Sequence, residues 1–104
     1  MSFAEAQFVS LKEAVSLVED GSVVAVTGAM SAPPMSLVRE LIRQGKRNLH
    51  VVVSPIGGIN VDMLIGAGCV AKAEFPQISL GEFGLAPNFR RAAEEGTIET
   101  LEHT

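Results

Sequence analysis

Tyrosine and tryptophan are absent, and phenylalanine occurs only five times. A core with so few rings must be assembled from Val, Leu, Ile, Ala and Met. A single cysteine, Cys69, excludes an internal disulfide and fits a reducing compartment. Cys69 stands between Gly68 and Val70 with no base beside it, so it reads as a small buried hydrophobe and not as a nucleophile. No apolar run approaches the roughly 18 residues that a membrane span needs. The opening Met1-Ser2-Phe3-Ala4-Glu5 lacks the basic region of a signal peptide, and a cytoplasmic location is expected. Positive charge is the minority: eight Lys and Arg stand against twelve Asp and Glu, a net charge of -4. That balance argues against nucleic acid as the partner. At 104 residues the ceiling is one domain, spanning 1–104.

Motifs that carry chemistry are equally sparse. The loop Gly28-Ala29-Met30-Ser31 is not G-x-G-x-x-G, and no acid ends the second strand, so a dinucleotide fingerprint is missing. The Gly-Lys-Ser/Thr of a phosphate loop, the G-x-S-x-G elbow and any cluster with metal-ligand spacing are missing too. What is left is a loop of backbone donors that could hold an anion or an acyl oxygen.

The segment from Asp20 to Pro34 organises the chain. Asp20-Gly21 marks a turn. Val23 to Val26 is a short apolar run of the kind found in a strand covered on both faces. Gly28 breaks it, and Pro33-Pro34 suit a first helical turn, where a missing donor costs nothing. Before this segment, Ser10-Leu11-Lys12-Glu13 is a capping box that opens an amphipathic helix over 11–19. After it, Leu37, Val38, Leu41 and Ile42 share one face of a helix over 35–43, with Arg39, Glu40 and Arg43 off that face and Gly45 as its stop. Residues 49–54 form the second strand, where His50 reads as structural or solvated. A short helix begins at Asn60 and closes at Gly66-Ala67-Gly68. The third strand covers 69–75, with Lys72 and Glu74 on one side. Residues 77–86 read as a loop, 88–95 as a helix with Phe89, Ala92 and Ala93 inward, and 97–102 as a fourth strand. Arg90–Glu94 and Arg91–Glu95 are i,i+4 pairs.

Repeated β-α-β units imply parallel strands joined by right-handed crossovers. The fold class expected is α/β: an open, mostly parallel sheet with helices on both faces. The chain stops at its fourth strand, with too little left to cover it, so the sheet is expected to be incomplete and to expose apolar surface.

The order of these pieces resembles the α subunit of family I coenzyme A transferases, and most of all the glutaconate CoA-transferase type. The resemblance rests on Asp20-Gly21, the Gly28 loop, Pro33-Pro34-Met35-Ser36-Leu37-Val38-Arg39-Glu40-Leu41-Ile42 and Lys46-Arg47-Asn48-Leu49-His50-Val51-Val52. Asp62-x-Leu64-Ile65-Gly66-Ala67-Gly68-Cys69-Val70 and Phe83-Gly84-x-Ala86-Pro87-x-Phe89-Arg90-Arg91-Ala92-x-Glu94-x-Gly96 continue it, over about residues 8–104. It implies the fold of those transferases (NagB/RpiA-like), here as the amino-terminal part of a longer α-subunit domain. It also implies a partner β subunit in a hetero-oligomer, with coenzyme A, an acyl-CoA and a small carboxylic acid as substrates and no metal.

By the same resemblance, the nucleophile is a glutamate on the β subunit, so this chain holds no catalytic residue and is inactive alone. Its part is to line the site. By position, Gly28, Ala29, Met30 and Ser31 follow strand one, Ser54, Gly57 and Gly58 follow strand two, and Gln77 and Ser79 follow strand three. Each Gly could instead serve only a turn, and each Ser only a cap. Glu82 could act as a base, but solvated acids are common. For Ser36, capping or solvation is favoured, and for Arg90 and Arg91 the salt-bridged helix face is the better reading. Two other classes stay open: a CoA-thioester hydrolase, ring-opening or C–C bond-cleaving subunit of the same fold, and a non-catalytic assembly domain.

Overall fold

Apolar β-branched runs and amphipathic stretches alternate along the chain, and each becomes an element. The computed structural model describes residues 7–27, 34–54, 57–76, 78, 84 and 86–102. The elements are α1 (Leu11–Ser16), β1 (Val23–Val26), α2 (Met35–Arg43), β2 (Leu49–Val53), α3 (Ile59–Gly66), β3 (Val70–Phe75), α4 (Pro87–Glu95) and β4 (Glu99–Glu102). The strands form one sheet in the order β1-β2-β3-β4, and every pair is parallel. The α/β class is as the sequence implies.

Helix ends follow local chemistry. Ser10 Oγ accepts from the Glu13 N–H and opens α1. The helix stops earlier than its apolar pattern, because the Glu19 N–H donates to Ser22 Oγ in the following turn. At the end of α2, Gly45 takes φ +69°. Its N–H bonds Ile42 O while the Lys46 N–H bonds Leu41 O, the paired closure that a left-handed residue permits. The same pair of bonds ends α3, from Gly68 to Ile65 and from Cys69 to Leu64. Thr97 donates to Ala92 O in the closure of α4, so β4 starts later than the alternation suggests.

A strand order that steps one way, with right-handed crossovers, puts every crossover helix on the same face of the sheet. The packing agrees: α1 lies on α2, α2 on α3 and α3 on α4. Val15, Val38, Leu41, Val61, Leu64 and Phe89 from the helices meet Val26, Leu49, Val51, Val53, Ala73 and Phe75 from the strands in one core. The Phe75 and Phe89 rings pack edge to face at 4.9 Å. In β3 an extra residue, Ala71, is absorbed by a register shift between Leu49 and His50. The shift keeps Val70 and Ala73 inward and Lys72 and Glu74 on the other side.

The second face of the sheet is less covered. Val23 is 65% exposed and Ala25 is exposed, although the apolar run suits cover on both sides. On that face His50 Nε2 lies 2.6 Å from Glu74 Oε1, a structural pair as expected for this histidine. Among the described residues no helix is long and apolar enough to cross a membrane.

Candidate functional site at the carboxyl edge of the sheet

In a parallel sheet all strands end at one edge, and ligands of open α/β folds bind there. Here that edge collects the chain after Val26, Val53 and Phe75 and the amino termini of α2, α3 and α4. α2 begins behind Pro34, which offers no capping side chain. The N–H groups of its first turn therefore receive no side-chain cap from Pro34. The amino terminus of α4 is different, because a buried carboxylate closes it. Asp62 Oδ1 accepts from the Phe89 N–H at 2.7 Å, and Asp62 Oδ2 accepts from Asn88 Nδ2 at 3.0 Å and from the Asn88 N–H at 3.3 Å.

Of the residues expected to line a site, Gly28, Ala29, Met30, Ser31, Gln77 and Ser79 lie outside the described residues, as does Glu82. Ser54 is exposed at the edge, and its N–H continues the ladder to Val26 O at 3.0 Å. Gly57 and Gly58 are buried. A Cβ on Gly57 would stand 3.0 Å from both Val53 Cγ1 and Val61 Cγ2, so this glycine permits close packing. Gly57 also bridges Ile78 in parallel, which ties the segment after β3 to the segment after β2. The Gly58 N–H donates to Asn60 Oδ1 at 3.3 Å. Ser36 is exposed on α2, and Arg90 Nε pairs with Glu94 at 3.1 Å on an exposed face, in line with solvated and salt-bridged roles.

The family model described as coenzyme A transferase matches residues 8–103. The chain belongs to the coenzyme A transferase family. It is 38% identical over 99 residues to the 3-oxoadipate CoA-transferase A-subunit of Pseudomonas knackmussii, covering 93% of this chain and 34% of that protein. It superposes on a variant of the decarboxylase AibA/AibB with TM-score 0.83 and 33% identity, over 94% of this chain and 38% of the other. Glutaconate coenzyme A-transferase from Acidaminococcus fermentans gives TM-score 0.84 and 26% identity, over 92% and 31%. The chain thus spans about a third of the length of these relatives.

Within this transferase fold, two residues stand out that read in the sequence as ordinary helix. Asn60 is fully buried, and its Nδ2 donates to Thr27 O at 3.1 Å. Asp62 is 5% exposed and closes α4. A polar pair two residues apart beside Gly57-Gly58 is the available signal, but Thr27, Asn88 and Phe89, which they hold, lie 26 to 33 residues away. Cys69 is buried in the core; burial pushes its thiol up, with Arg47 opposing. Arg47 Nη1 instead serves the end of α3, donating to Ala67 O and Gly68 O at 2.9 and 3.0 Å. Among the described residues no group of three or more His, Cys, Asp or Glu is placed to hold a metal ion.

Proposed function

We propose that this chain is the amino-terminal part of the α subunit of a heteromeric CoA transferase. The observation that carries the reading is the likeness to a CoA-transferase A-subunit over nearly the whole chain. The reaction moves CoA from an acyl-CoA to a free carboxylic acid. A β-subunit glutamate attacks the thioester carbonyl and expels CoA thiolate, leaving a mixed anhydride. The thiolate then attacks the glutamyl carbonyl, releasing the first acid and leaving a glutamyl-CoA thioester. The second acid reverses both steps. Covalent catalysis of this kind divides one difficult exchange into two easier ones.

The α chain supplies walls and donors. Gly28, Ala29, Met30 and Ser31 lead into the uncapped first turn of α2, where amides suit a carboxylate or acyl oxygen. Ser54 is the exposed member of the second loop and Gly57 and Gly58 its buried members; Gln77 and Ser79 are assigned to the same lining by their place after β3 in the sequence.

The test is co-expression with a candidate β subunit, followed by an assay of CoA transfer between an acyl-CoA and a free acid. Borohydride with acyl-CoA should inactivate the pair and modify a carboxylate on the β chain only. Modification of this chain would overturn the division of labour. A second reading is supported by the AibA/AibB decarboxylase likeness: the site breaks a C–C bond in a CoA thioester. Mass spectrometry of the products separates the two, since decarboxylation yields carbon dioxide and transfer a new thioester.

A further inference from the structure

We infer that Asn60, in the first turn of α3, is a positioning residue that holds Thr27, one residue past β1, in register with Gly58, the residue before α3. The inference rests on the CoA-transferase reading for its kinetic consequence, but not for its geometry. After each of β1, β2 and β3, described residues are tied to Asn60 or its neighbours. Thr27, one residue past β1, gives its carbonyl to Asn60 Nδ2 at 3.1 Å. After β2, the Gly58 N–H meets Asn60 Oδ1. The segment after β3 is held at Ile78 through the Gly57 bridge and at its far end by Asp62 on Asn88 and Phe89.

Asn60 is the residue that joins the first two. It has no accessible surface, and Val61, next to it in the chain, and Leu64, one turn on in α3, are fully buried in the core. An amide buried among aliphatics is costly unless satisfied at both its ends. Asn60 has both ends engaged, acceptor to one loop and donor to the other, and both partners are main-chain groups outside the strand ladders. A single planar amide therefore sets the distance between Thr27 and Gly58, which are remote in sequence. An apolar residue of similar volume would fill the space and leave that distance unset.

The experiment compares the full chain with N60A, and with V61A as a neighbouring core truncation that removes neither main-chain bond. Amide exchange followed by mass spectrometry on the free chain should show protection in peptides containing Thr27 and Gly58 falling by about tenfold or more in N60A, with β2 and β3 unchanged. V61A should lower protection evenly. With the β subunit bound, N60A should lose about tenfold in kcat at a temperature where it matches V61A in stability, while V61A stays within about twofold. If N60A does not fold, N60D decides. Its carboxyl keeps the acceptor for Gly58 and can donate to Thr27 only when protonated, so protection around Thr27 should be near wild type at about pH 5 and lost at about pH 8. Equal exchange patterns in N60A and V61A, or a pH-independent N60D, would overturn the inference. A wild-type pair that transfers no CoA would overturn the functional reading alone, since the exchange arm is read without turnover.

Discussion

Gly66 shows how one side-chain-free position can be misjudged from helix propensity. It is the last residue of α3, where alanine is normally better by about 1 kcal/mol. A Cβ there would stand 2.7 Å from Asn88 Nδ2 and 2.8 Å from Asn88 Cγ. Asn88 cannot swing away freely, because its Nδ2 and main-chain N–H both bond Asp62. G66A is therefore expected to destabilise by about 1 kcal/mol or more, despite its propensity gain. In the N88A background the same change should become neutral or stabilising, a sign reversal that urea unfolding of the four proteins would read. The Gly66-Ala67-Gly68 pattern is legible as a helix stop. The requirement at Gly66 is not, because the atom it makes room for comes from α4.

At the scale of elements, α1 and α2 are joined by a polar network that the amphipathic pattern places in solvent. That pattern puts Glu40 on the outer face, yet it is 4% exposed. Its carboxylate accepts from Arg43 and from Gln44 Nε2 at 2.7 Å, and Gln44 Nε2 also reaches Lys12 O on α1 at 3.1 Å. The Arg43 guanidinium, and after it the Gln44 amide, hold the Glu40 carboxyl below its ordinary value of 4.5. A depressed carboxylate adds stability that is complete above its unfolded value and is lost as the pH falls through the folded one. The stability difference between wild type and E40Q should therefore be constant above about pH 6 and shrink in acid. Urea midpoints at stepped pH check this; a difference that grows in acid would contradict it. Helix α2 itself is readable to the residue, because its face, its prolines and Gly45 are local. Ala93, expected inward on α4, is exposed, since Phe89 and Ala92 already fill the contact with β3 and α3.

For the whole molecule, the strand order decides which surfaces are covered. With β1-β2-β3-β4 in sequence and the helices in one row, Val23, Ala25 and Leu101 stand on the less covered side. V23K should cost less than about 1 kcal/mol, as for an exposed strand position, and should raise the concentration at which the free chain self-associates in sedimentation. A larger cost would mean that Val23 is packed in the free chain. The α/β class, the eight elements and the likeness to coenzyme A transferases were determined by the sequence alone, because periodicity, caps and turn residues act over a few neighbours. Only the tertiary structure decided that Asn60 and Asp62 hold the segments around the carboxyl edge, that Glu40 is internal and that β1 is covered on one side. The first depends on groups 26 to 33 residues apart, the second on Gln44 joining Glu40 to Lys12 of α1, and the third on the direction in which successive crossovers step, and none of these is encoded in a local pattern.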